Sequence, residues 1–168
     1  MPGAAIFARC TVGDGGNALL SVKTGVSPQK AKPGKLLRYR ATLRNLDKKD
    51  AITSIAFTVL MPQGVTSVEA LPASNYAPKM GHGDKARFSR AKLQPVVSLM
   101  DGAVTWSGLN FPARKAVKLA VKVRVPAGVS PGDQLVFSGA AYQVLPVNGL
   151  AYCESAYSNQ TVQVLSSK

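Results

Sequence analysis

Hydrophobic and polar residues alternate along most of the chain. In "KLLRYRATLRN", Leu37, Tyr39, Ala41 and Leu43 fall on one parity, and Arg38, Arg40, Thr42 and Arg44 on the other. That is the period of a β-strand with one apolar and one cationic face. "ITSIAFTVLMP" places Ile55, Phe57, Val59 and Met61 on one side, and "AVKLAVKVRVP" does the same with Val117, Leu119, Val121, Val123 and Val125. Further runs of this kind are "AIFARCTV", "ALLSVKTGV", "VTSVEAL", "QLVFSGAAYQVL" and "QTVQVLSS". "VVSLMDGAVTWSGL" reads as a hairpin with Asp101-Gly102 at its tip, a pair that tolerates positive φ, and "VNGLAYC" carries a second Asn-Gly signal.

Glycines and prolines fall mostly between these runs, and no apolar stripe of helical spacing is long enough for a helix. The fold class is therefore all-β, a sandwich or barrel. Tyr39, Leu43, Phe57, Val59, Trp106, Leu119, Val121 and Phe137 are the expected core. One stretch breaks the rhythm: Pro72 to Pro95, "PASNYAPKMGHGDKARFSRAKLQP", is polar, basic and rich in turn residues. It reads as an insertion loop, 72–95, because loops of that length are usually functional or disordered. No internal repeat is present. The chain thus divides into one domain over 1–168, with a core at 18–165 and an extra N-terminal strand at 4–12.

Composition changes the picture mainly through charge. The 168 residues carry 21 Lys and Arg against 8 Asp and Glu, a formal net charge of +13. A surplus of that size draws polyanions and keeps like molecules apart, without choosing among nucleic acid, acidic polysaccharide, an acidic protein and anionic lipid. No apolar run approaches the roughly 18 residues of a membrane-spanning helix. The opening "MPGAAIFARC" lacks the basic and apolar segments of a signal peptide, which leaves a cytosolic chain or the mature part of a secreted one. The two cysteines, Cys10 and Cys153, are expected to form a disulfide, since both lie on strand-like termini that a sandwich brings together; sequence does not set their redox state.

Candidate chemistry is sparse. His82 is the sole histidine, so neither a nucleophile–base–orienter set nor a histidine-containing metal site can be assembled around a second one. "GDGGN" lacks the Lys-Ser/Thr and the following helix of a phosphate loop, and Asp14, Asp47, Asp50, Asp101 and Asp133 stand singly, without calcium-loop spacing. No catalytic residue, metal ligand or cofactor site is assigned.

The order of motifs resembles the bacterial-type immunoglobulin-like "conserved repeat" domain of secreted and cell-surface proteins. A loop Pro33-Gly34 precedes a "Y-x-hydrophobic-x-N" strand with Tyr39, Leu43 and Asn45. A corner with Met61, Pro62, Gly64 and Val65 follows, then Val104 and Trp106, then the alternating valines from Val117 to Val125. The resemblance covers roughly Leu19 to Tyr142. It implies an immunoglobulin-like sandwich of about seven to nine strands in an extracellular or cell-surface structural or adhesive module. Its implied partners are other proteins or copies of itself, with no cofactor or catalysis. The basic insertion, the N-terminal run and the cysteine pair depart from the family pattern.

On that alignment Lys35–Asn45 and Ala113–Pro126 pair in one sheet. Arg38, Arg40 and Arg44 would then share an outer face with Lys118, Lys122 and Arg124. Such a face costs like-charge repulsion unless an anion is present, although charged faces also serve solubility and discourage edge-to-edge aggregation. The insertion adds Lys79, Lys85, Arg87, Arg90 and Lys92. Two functions follow: a structural module of a surface assembly, or a module binding acidic polysaccharide or nucleic acid through the basic face.

Overall fold

The computed structural model of the chain describes residues 20–65, 68–79, 87–98, 102–144 and 152–166, and for 143–144 and 152–157 the backbone alone. The strands are β1 (Leu20–Ser27), β2 (Lys30–Ala31), β3 (Leu36–Asn45), β4 (Ile52–Leu60), β5 (Val68–Ala70), β6 (Ala73–Lys79), β7 (Arg87–Leu93), β8 (Val96–Ser98), β9 (Ala103–Phe111), β10 (Ala116–Arg124), β11 (Gln134–Val144) and β12 (Tyr152–Val164). There is no helix among the described residues. A four-stranded sheet of order β1-β3-β10-β5 packs on a six-stranded sheet of order β2-β12-β11-β4-β9-β8, and β6 and β7 form a separate hairpin. Seven long strands make the sandwich; the short β2, β5 and β8 and the hairpin bring the total to twelve among the described residues.

All eight expected core residues are buried, Tyr39, Phe57, Trp106 and Phe137 completely. Tyr39 stacks on Phe137 across the sandwich with centroids 5.6 Å apart, and Phe57 meets its neighbour in the same sheet, Trp106, at 6.4 Å. Along one side, Thr24 of β1 hydrogen-bonds with Ser158 and accepts from Gln160 Nε2 of β12, joining the two sheets.

The insertion departs from expectation. Within 72–95, Ala73–Lys79 and Arg87–Leu93 are paired strands rather than loop. Their burial does not come from apolar alternation, which is why the pattern hides them. Asn75 and Asn110 do the anchoring: Asn75 Nδ2 donates to Gly108 O (2.9 Å), Asn110 N–H to Asn75 Oδ1 (3.0 Å), and Asn110 Nδ2 to Tyr76 O (2.8 Å). The hairpin is thereby fastened to β9. In the β8–β9 hairpin, Ser98 pairs with Ala103 and Gly102 has φ +63°. Asp101, His82, Cys10 and the expected strand 4–12 lie outside the described residues, and of Cys153 only its backbone pairing with Gln143 is described.

Gly139 is the tightest point of the core. A Cβ there would collide with the Tyr39 hydroxyl and lie 2.7 Å from Phe57 Cζ. Burial pushes the Tyr39 phenol well above its ordinary pKa, with Thr24 opposing. Thr24 nevertheless directs its bonds to Ser158 and Gln160, leaving the Tyr39 oxygen buried with no partner in bonding geometry. Gly139→Ala is expected to cost at least about 1–3 kcal/mol by overpacking. Tyr39→Phe should be neutral or stabilising by about 1 kcal/mol, because it removes an unsatisfied hydroxyl. Urea midpoints at unchanged slope measure both, and a Tyr39→Phe loss above about 2 kcal/mol would mean that the hydroxyl is paired.

Candidate functional site

Parity fixes the direction of the cationic side chains. Leu37, Tyr39, Ala41 and Leu43 of β3 and Val117, Leu119, Val121 and Val123 of β10 are buried between the sheets, so the residues between them point outward. β3 and β10 are antiparallel neighbours with Arg38 opposite Lys122, Thr42 opposite Lys118, Arg40 opposite Ala120, Arg44 opposite Ala116 and Leu36 opposite Arg124. The six sheet cations therefore lie on one face. Arg38 and Lys122 stand directly across from each other, while the remaining four face Ala, Thr or Leu, which spreads the charge.

Two further members of this face escaped the reading of β3 and β10 alone. Lys23 of β1 sits opposite Thr42 and is exposed. The alternation of Val22, Thr24 and Val26 holds the signal for it. Glu69 of β5 sits opposite Lys122, and it is the sole acidic residue at an outward register position of β1, β3, β5 and β10. Its strand is only three residues long, too short for alternation to assign it to a sheet.

The two end guanidiniums are tied to backbone. Arg44 Nη1 donates to Arg114 O (3.1 Å), and Arg124 Nη1 donates to Gly34 O (2.8 Å). Between them Arg38, Arg40, Thr42, Lys118 and Ala120 line a shallow depression with Leu71 and Pro72. Arg38, Arg40 and Lys118 are exposed, so their charged heads remain in water and can meet a ligand without first being desolvated.

The hairpin cations are placed differently. Arg87 is exposed opposite Lys79. Arg90 is held: its Nη1 donates to Ser74 Oγ (3.1 Å), and its guanidinium lies over the Tyr76 ring, 4.7 Å from the centroid. Both belong to the β6–β7 sheet, not to the cationic sheet, and Lys85 lies outside the described residues.

The two packed sheets define an immunoglobulin-like β-sandwich, and this fold recurs in bacterial surface proteins. The chain is similar in fold to the structure of the RrgA Jo.In complex, at TM-score 0.54 with 8% identity, covering 84% of this chain and 78% of that one. It is also similar to BcpA, the major pilin subunit of Bacillus cereus, at TM-score 0.50 with 12% identity over 87% of this chain and 40% of that one. The chain thus spans less than half of the pilin's length. No family profile and no curated protein sequence matches the chain.

Proposed function

We propose that this chain is a non-enzymatic binding module of an extracellular surface assembly, of the immunoglobulin-like conserved-repeat type. In this reading it holds an acidic polysaccharide on the outer face of its four-stranded sheet. One observation carries the reading: Lys23, Arg38, Arg40, Arg44, Lys118, Lys122 and Arg124 share that face with a single acid, Glu69. A merely solvated face mixes signs. Cations two residues apart on a strand, Arg38 and Arg40 or Lys122 and Arg124, stand about 6.6 Å apart, those four residues apart about 13 Å, and neighbouring strands about 4.8 Å, giving a fixed array to which a flexible anionic chain can adapt. The motif order and the fold likeness to a pilin subunit support the surface setting.

Binding of this kind is driven by charge and counterion release. It should weaken steeply with salt and tolerate polymer sequence, since no aromatic platform interleaves with the cations. Arg38→Ser, Arg40→Ser and Arg44→Ser combined should leave the fold intact, because all three side chains are exposed. On an immobilised sulfated polysaccharide the triple variant should elute at clearly lower salt than wild type. With three contacts removed, log affinity against log salt should become shallower by about two to three units. Equal elution of two folded proteins would reduce the arginines to a solubility device, and preferential retention on single-stranded nucleic acid would replace the polysaccharide as ligand.

A further inference from the structure

Charge is segregated between the two sheets. β4, β8, β9 and β11 contain no Lys, Arg, Asp or Glu, and β12 contains Glu154 alone. Lys30 on the two-residue β2 stands at one edge of this sheet. A chain of net charge +13 therefore carries almost no charge on the strands of its six-stranded sheet.

That face also exposes large apolar side chains. Val59, Val104, Phe137 and Val162 point into the core, which turns Leu60, Thr58, Thr105, Val136 and Thr161 outward. Leu60 is 50% exposed, Val136 43% and Val96, on β8 opposite Thr105, 67%. Leu60 pairs with Ser138 on β11, so Val136, two residues along that strand, is its diagonal neighbour. The hydroxyls between them satisfy one another: Thr58 Oγ1 lies 2.8 Å from Thr105 Oγ1 and 3.3 Å from Tyr142 Oη. Polar groups already bonded within a face lower the cost of removing it from water.

We infer that this outer face is the self-association surface of the protein, where a second copy packs sheet against sheet about a two-fold axis. Charge selects the occupant. Two cationic faces cannot meet, whereas the neutral faces can approach with both cationic faces directed outward, at maximal separation. A two-fold contact is self-complementary by construction, and twisted sheets of one hand pack face to face about 10 Å apart. The four long strands β12, β11, β4 and β9, each about 4.8 Å wide and about 30 Å long, give a flat area of roughly 600 Å². Side-chain relief and β8 add to this, against about 800 Å² per partner in a standard interface. Depletion of Lys, Asp and Glu on an apolar face that includes Tyr142 matches the composition of an interface core. The inference is independent of the anion-binding reading.

Sedimentation of the full chain, without polyanion, from low micromolar to several hundred micromolar tests it. The mass should rise from one chain to two. Higher salt should strengthen the dimer by screening the repulsion between cationic bodies, opposite in sign to its effect on polyanion binding. Val136→Lys and, separately, Leu60→Lys place like charges across the two-fold contact and should weaken the dimer at least about a hundredfold. Both sites are exposed, and circular dichroism with an unchanged thermal midpoint verifies the fold. The Arg38→Ser, Arg40→Ser, Arg44→Ser protein should dimerise at least as well as wild type. A wild type that remains one chain in mass, or a folded Val136→Lys that associates as wild type does, overturns the proposal.

Discussion

Trp106→Ala is expected to destabilise the protein by about 3–5 kcal/mol, the range for truncating a large buried aromatic. The indole is completely buried and faces Phe57 across β4 and β9. Its Nε1 also donates to Leu71 O at 3.1 Å. Leu71 is where the chain leaves the cationic sheet, since its own N–H donates to Ala120 O (3.0 Å) just after β5 and the hairpin begins two residues later. Truncation therefore opens a cavity and orphans a carbonyl at the crossover between sheets. Trp106→Phe, which restores most of the volume but not the donor, should cost less, about 1–3 kcal/mol. Urea unfolding followed by circular dichroism compares the two. A loss below about 1 kcal/mol for the alanine variant would show that the core collapses around the gap.

Asn45→Ala should be comparably damaging, about 2–4 kcal/mol, although it removes few atoms. Asn45 is fully buried at the end of β3. Its Nδ2 donates to the carbonyls of Asp50 (2.8 Å), Phe111 (3.0 Å) and Pro112 (3.4 Å), and its Oδ1 accepts from Asp47 N–H (2.8 Å). One side chain thus binds the β3–β4 turn to the end of β9 in the opposite sheet. Asp47 continues the turn by accepting from the N–H groups of Lys49 and Asp50, which hold its carboxyl below the usual carboxylate range. Asn45→Asp supplies no donor at neutral pH and sets a buried carboxylate against three carbonyl oxygens, so it should lose at least as much stability. A loss under about 1 kcal/mol in either variant would mean that water replaces the side chain.

The fate of Asn45 shows what kind of signal a sequence carries. It is the last position of the "Y-x-hydrophobic-x-N" strand, yet its partners lie up to 67 positions away, and nothing local predicts them. Tyr39 is similar: alternation places it inside, while its close approach to Gly139 depends on how β3 meets β11. The hairpin at 73–79 and 87–93 was illegible for a different reason. Its burial rests on Ala73, the polar Asn75 and, on the opposite parity, Tyr76, so no apolar alternation marks it, and Pro78 sits within β6, where proline ordinarily argues against a strand.

The sequence by itself determined the all-β class, the parity of β3, β4, β9 and β10, and the core around Trp106. Each of these depends on the period-two geometry of a single strand, which is local. It also determined that Arg38, Arg40 and Arg44 point away from that core. Only the tertiary structure decided which strands share a sheet, and so that Lys23 and Glu69 join the arginines while Arg87 and Arg90 stand apart on a hairpin. Only it revealed that the uncharged strands gather in one sheet, while most of the charged ones lie in the other sheet and in the hairpin. Sheet partners are chosen by hydrogen bonding and packing between segments far apart in the chain, so the charge of a face is a property of the assembled sandwich.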